Sequence, residues 1–159
     1  MHTPEAWDDR RAACQTALLQ RLDADLAGVQ AALHAAAAGT RLDGDRPENR
    51  GERGALSSQG ALAGALAERL AQLHTDRLAV AALQPGPRHR PCMGAFVVAE
   101  DGEGNLGIWW LAPGAGGDPI GADVVAVSPS APIGRAWLGA EVGDAVVVGP
   151  RTWTVVAFH

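Results

Sequence analysis

Leu19, Leu22, Leu26, Val29, Leu33 and Ala36 recur at alternating steps of three and four, which lays apolar side chains along one seam of a helix and predicts that helix over about residues 6–37. Trp7 and Cys14 fall near the same stripe, whereas Asp8, Asp9, Arg10, Arg11, Arg21, Asp23 and Asp25 lie mostly off it. Thr3-Pro4-Glu5 offers an N-terminal cap followed by a proline, whose missing N–H costs nothing at a first helical position. Leu62, Leu66, Leu70, Leu73, Val80 and Leu83 give a second stripe and a second helix over about 55–83. Gly28, Gly60 and Gly64 each cost about 1 kcal/mol relative to Ala, and among so many alanines they permit close helix approach. Two helices of similar length with one seam each bury those seams most simply against one another, as an antiparallel hairpin. At about 1.5 Å per residue, some thirty residues make an arm of roughly 45 Å.

The seam stops at a polar connection, residues 39–54, which forms the tip of the arm. After the second helix, Gln84-Pro85-Gly86-Pro87-Arg88-His89-Arg90-Pro91 cannot continue a helix, and the pattern then changes to strands. Gly94 to Ala99 and Leu106 to Leu111 read as a hairpin around the turn Glu100–Asn105, and 113–119 as a loop. Val124 to Val127 is an apolar β-branched strand ended by Ser128-Pro129. Ala131-Pro132 starts a short helix that Gly139 closes, with Ile133 and Trp137 on one face. Val142-Gly143-Asp144 turns into another strand, and Thr152 to Ala157 is the last. The expected organisation is α+β: a helical coiled-coil hairpin over 1–84, a linker over 85–92, and a small antiparallel β-domain with one short helix over 93–159. Trp109, Trp110, Trp137, Trp153 and Phe158 furnish its aromatic core, with one of the adjacent Trp109 and Trp110 a candidate for exposure because neighbours on a strand face opposite sides.

Composition narrows the function. The chain has 159 residues, 47% of them apolar, enough for a packed core. No apolar run approaches the length needed to cross a bilayer and no leader pattern opens the chain, so a cytoplasmic location without a membrane partner is expected. Cys14 and Cys92 lie far apart, outside any Cys-x-x-Cys pair, and read as free thiols. All thirteen basic residues are Arg and the net charge is −5, which argues against independent, sequence-specific nucleic-acid binding. The five histidines are scattered, no serine has a nucleophile-elbow setting, and Gly114–Gly117 lacks the Lys and helix of a phosphate loop, so no catalytic residue of its own is expected.

The segment Ser128-Pro129-Ser130-Ala131-Pro132-Ile133-Gly134-Arg135-Ala136, continuing through Leu138-Gly139 to Val142-Gly143-Asp144 and the two following strands, closely resembles the C-terminal domain of the bacterial Gre transcript-cleavage factors. Upstream, Gly44-Asp45-x-x-Glu48-Asn49 matches the acidic hairpin tip of the same family, and its place between two seam-bearing helices gives that short motif its weight. The brevity of the chain before the Ser-Pro segment is similar to a short-form Gre-like subgroup. The resemblance implies an FKBP-like β-domain that docks at the rim of the RNA polymerase secondary channel through Ser128, Pro129, Ser130, Ala131, Pro132 and Ile133. It implies a hairpin that inserts its tip toward the active site to modulate elongation, cleavage or initiation. One departure is visible: Ala131 stands where many members carry Ser, one hydroxyl fewer on the docking loop.

By the same resemblance, Asp45 and Glu48 share a Mg²⁺ ion with the polymerase, the chain holding no cofactor of its own. Read from the residues alone, Asp45 also suits a helix cap in an acidic, solvated turn. Asp43, Asp45, Glu48 and Glu52 are balanced by Arg41, Arg46, Arg50 and Arg53, so the tip is formally neutral, and arginines this close can pair with the carboxylates or approach phosphates. That balance favours modulation or occlusion over cleavage as such. Two other classes stay open: a coiled-coil and FKBP-like binding module that never reaches the polymerase active site, and an FKBP-type prolyl isomerase. The last is weakened because those enzymes line their proline pocket with aromatics including Tyr, and this chain has none.

Overall fold

The computed structural model describes the backbone of residues 4–42 and 50–159, and side chains within 6–38 and 58–159. Its elements are α1 (Pro4–Leu42), α2 (Arg50–Ala81), β1 (Phe96–Asp101), β2 (Leu106–Leu111), β3 (Gly116–Ile120), β4 (Val124–Val127), α3 (Pro132–Leu138), β5 (Ala145–Val148) and β6 (Arg151–Phe158). Both long helices run further into their connection than the hydrophobic pattern predicts, to Leu42 and from Arg50. The added residues include Gly39, Thr40, Gly51 and Gly54, which are weak helix formers, so propensity does not account for the extension. None of the described helices is long and apolar enough to cross a membrane.

Packing divides the chain into two compact units, Met1–Gln20 with Arg77–His159, and Arg21–Asp76. In the second, Leu22, Leu26 and Leu73 are buried, Leu66 and Leu70 are half-buried, and Leu62 is exposed despite its place in the stripe. In the first, the buried face of α1 is Trp7, Arg11, Cys14 and Leu18. Leu18 therefore takes the place expected of Leu19, and Arg11, expected off the seam, is 2% exposed. The start of α1 lies beside the end of α2, where Gln15 Nε2 donates to the Val80 carbonyl at 2.7 Å.

The six strands form one sheet in the order β3-β4-β2-β1-β6-β5. Its pairs are antiparallel except β2 with β4, which run parallel from Ile108 opposite Val124 to Leu111 opposite Val127. An all-antiparallel domain is thus corrected to a mixed sheet, and the cause is β3, in the segment read as a loop from its glycines and proline. The chain leaves β2, overshoots the neighbouring position, makes β3 at the edge and returns as β4 between them. Pro119 is tolerated there because an edge strand needs no N–H on its free side.

Both faces of this sheet are covered, so neither Trp109 (6% exposed) nor Trp110 (0%) reaches solvent as one of them was expected to. On one face Trp109 packs against Trp137 of α3 at 4.8 Å and edge-on against Trp153 at 4.9 Å, among Val97, Leu111, Val127 and Val155. On the other, Trp110 stacks with Phe96 and the base of α1 closes over it: Trp7 lies 5.3 Å from Phe96 and stacks on His159 at 4.1 Å. Arg11 sits over the Phe96 ring, donates to the Gly94 carbonyl at 3.2 Å and pairs with Asp8 at 2.5 Å. Burial lowers the pKa of this guanidinium while Asp8 raises it. Arg10 reaches Asp123 at 2.8 Å, and burial pushes the Cys14 thiol up.

The β1–β2 turn is organised by Asp101, buried at the end of β1. Its carboxylate accepts the Glu103 and Asn105 backbone N–H groups, both at 2.9 Å, the Asn105 side-chain amide, and Arg151 of β6 at 2.8 Å. The Asn105 side-chain bond, with the backbone bonds and Arg151, holds this carboxyl below its ordinary range. A depressed folded-state pKa adds stability that is present above the unfolded value of about 3.9 and is lost as the pH falls through the folded value. Asn105→Ala is therefore expected to lower the urea midpoint at pH 7, with the gap to wild type closing below about pH 4. A gap that stays constant through acid would assign the loss to packing alone.

Candidate functional site

The segment from β4 into α3 is held by backbone and side-chain bonds and by close helix packing. Pro129 follows β4 where the ladder ends, and the Ala131 N–H closes a turn on the Ser128 carbonyl at 3.0 Å. The Ser128 and Ser130 hydroxyls bond each other at 2.8 Å, and the Ser130 N–H reaches the Ser128 hydroxyl at 3.3 Å. Ala131, extended at φ −69° and ψ 152°, precedes α3 without a side-chain cap. A Ser in its place would offer that cap. Pro132 begins the helix, and Gly139 at its end donates to the Arg135 carbonyl.

What fixes this loop is Gly134. A Cβ built there would stand 2.0 Å from the Ser128 carbonyl oxygen and 2.9 Å from the Pro129 Cα, so the first turn of α3 lies directly on the loop backbone. On its other side α3 drives Trp137 fully into the core. The loop is thus clamped from beneath while Ser130 and Pro132 are exposed, with Ser128, Pro129 and Ala131 half-buried. Ile133 is different: it is half-buried and packs against the aromatic core, so only part of it is available to a partner.

Of the residues singled out at the tip, Asp43, Asp45, Arg46 and Glu48 lie outside the described residues, as do the side chains of Arg50, Glu52 and Arg53. Among the described residues no cluster of three His, Cys, Asp or Glu side chains is placed to hold a metal, and Cys14 and Cys92 are free thiols. A concavity of about 630 Å³ opens beside the C-terminal end of α3, between His89, Arg90 and Pro91 of the linker and Leu138, Glu141 and Phe158. The sequence carries no signal for it, because its walls come from three distant segments. The anchoring group Trp7, Arg11 and His159 was equally hidden: a cation among charges reads as a solvated face until the sheet it covers is known.

No family model matches the chain, and no curated protein matches it. Among solved structures it is similar to the GreA factor homolog 1 (Gfh1) of Thermus thermophilus, with 20% identity over 89% of this chain and 94% of that one and a TM-score of 0.39. It is similar also to a structure of the transcription factor Gfh1 (23% identity, 90% of this chain and 94% of that one, TM-score 0.38). A third is Thermus aquaticus Gfh1 (22% identity, 88% and 92%, TM-score 0.33).

Proposed function

We propose that this chain is a Gre-like regulator of transcription whose FKBP-like β-domain docks on RNA polymerase at the rim of the secondary channel, while a coiled-coil hairpin carries its tip toward the active site. The observation that carries this reading is the build of the signature loop. Its Ser-Pro-x-x-Pro-Ile-Gly-Arg residues form a clamped turn with an exposed proline at the head of a helix, which loses little entropy when a partner closes on it. Packing alone explains Gly134 and Trp137. Pro132 suits the first position of α3 on local grounds, and what favours docking is its exposure on a loop held this firmly.

Pro132→Asp tests the reading cleanly. The side chain is exposed, and an acidic residue at the first turn of a helix is favoured by the exposed N–H groups there, so the fold is expected to stand. A docking hot spot contributes about 2 kcal/mol or more, so affinity for polymerase is expected to fall by about thirtyfold or more. Unchanged melting with unchanged binding would place docking elsewhere. Ile133→Asp is the poorer probe, since its packing against the core makes loss of binding and loss of fold inseparable. The alternative of a binding module that never reaches the active site is separated by the tip variants, which such a module would tolerate.

A further inference from the structure

The concavity beside the C-terminal end of α3 lies at the opposite end of that helix from the Ser128–Ile133 loop. Its volume of about 630 Å³ falls within the range of about 300–1,000 Å³ that small-molecule sites occupy. The apolar part of its lining is fixed by the core: Phe158 is 7% exposed, Ala140 is buried, and Leu138 packs against the same cluster. Small residues leave the room. A Cβ added at Gly139 would make only ordinary contacts, with the Arg135 and Ala136 carbonyl oxygens at 3.7 and 3.9 Å. Val142 completes the apolar lining and stays 63% exposed, an uncovered valine on the wall of a cavity.

The polar lining comes from two segments, His89 and Arg90 from the linker and Glu141 from the turn after α3. Other arginines of the same unit are engaged: Arg10 pairs with Asp123, Arg11 with Asp8 and Arg151 with Asp101, while Arg88 donates to the Gln84 and Gly86 carbonyls. Among the described residues Arg90 has no hydrogen-bond or ion-pair partner, in a protein whose net charge is −5. A guanidinium presents a planar fork of donors that matches a carboxylate, and the neighbouring His89 adds a ring N–H in either tautomer. Glu141 limits the charge that fits, because a second anionic group in the same cavity would meet a like charge.

We infer that this concavity binds a small apolar molecule carrying a single carboxylate, with its body on Leu138, Val142 and Phe158 and its carboxylate on Arg90 and His89. Apolar contact supplies most of the affinity, and the unpaired guanidinium selects the anion over a neutral molecule of the same shape.

Backbone amide NMR shifts of the full chain, titrated at neutral pH with naphthoate and with the uncharged naphthamide, test this. The two probes share an apolar body and differ in charge. Naphthoate is expected to give saturable shifts at Leu138–Val142 and Phe158, and naphthamide to bind at the same residues at least about tenfold more weakly, the least that a charge-assisted hydrogen bond contributes. Arg90→Gln, at an exposed position where the fold is expected to stand, brings naphthoate down to the affinity of naphthamide. Glu141→Gln tightens naphthoate alone, and Val142→Asp weakens both probes by removing part of the apolar wall. A wild type that gives no saturable shifts with either probe overturns the proposal, as do equal affinities for the two or shifts centred on other residues. An Arg90→Gln variant that binds naphthoate as wild type does overturns it too. These measurements use the protein alone, so their outcome is independent of polymerase binding, which Pro132→Asp reads separately.

Discussion

Gly134→Ala is expected to be the most damaging single-methyl change in the β-domain. The added Cβ would meet the Ser128 carbonyl oxygen at 2.0 Å, its carbon at 2.8 Å and the Pro129 Cα at 2.9 Å, all of them backbone atoms that cannot swing aside. Relief requires α3 to lift from the loop, and α3 carries the fully buried Trp137. Overpacking of this kind costs about 3 kcal/mol at the upper end of its usual range. Alanine returns about 1 kcal/mol through its better helix propensity. The net loss is about 2 kcal/mol, or roughly 4–8 °C in Tm for a chain of this size. Gly64→Ala in α2 is the internal control, because nothing lies within 4 Å of its added Cβ. There the propensity gain stands unopposed, and a stabilisation of up to about 1 kcal/mol is expected. If both substitutions shift Tm in the same direction, the close approach at Gly134 does not decide its role.

That contrast shows where the sequence was readable. Local chemistry decided the short helix: Pro132 at its start, Gly139 at its end, and Ile133 and Trp137 four apart on one face all stand as the residues predict. The two long helices were legible for the same reason, since a seam at steps of three and four is a property of the helix itself. What was not legible depends on who lies opposite. The glycines and proline of 113–119 read as a loop because nothing local says that an edge strand will be needed beside β4. Leu18 displaced Leu19, and Arg11 entered the core, because the partner at the base of α1 is in part a sheet, whose demands the helix period does not encode. Trp109 and Trp110 were expected to divide between core and solvent, which holds only for a sheet with one covered face. Here α3 covers one face and α1 the other. Gly134 was visible as a glycine in a short helix, but its reason, the carbonyl of Ser128 beneath it, needed coordinates.

On the proposed function, the tip variants Asp45→Asn and Glu48→Gln are expected to abolish an effect on transcript cleavage and elongation while leaving affinity for RNA polymerase unchanged. The isosteres remove charge with little change in side-chain size, and the tip is distant in sequence from the proposed docking residues 128–133. Carboxylates suit the proposed task because Mg²⁺ takes oxygen ligands, retains much of its water and is commonly held by one or two carboxylates at a phosphoryl-transfer site. The ion would supply charge neutralisation and orientation at the scissile phosphate. This chain's own contribution would be to present two carboxylate groups from the segment between its two long helices. Arg46, Arg50 and Arg53 set the sign of the outcome. If the acids hold the ion, the wild-type effect rises with Mg²⁺ concentration and each isostere removes that dependence. If the arginines neutralise the acids and occupy phosphate positions instead, wild type inhibits at every Mg²⁺ concentration. In that case Arg46→Gln and Arg50→Gln relieve the inhibition while Asp45→Asn and Glu48→Gln deepen it. Cleavage by stalled elongation complexes, titrated with Mg²⁺ for wild type and the four variants, distinguishes these patterns. An effect that none of the four changes would leave the tip a solvated turn and return the function to the docking domain alone.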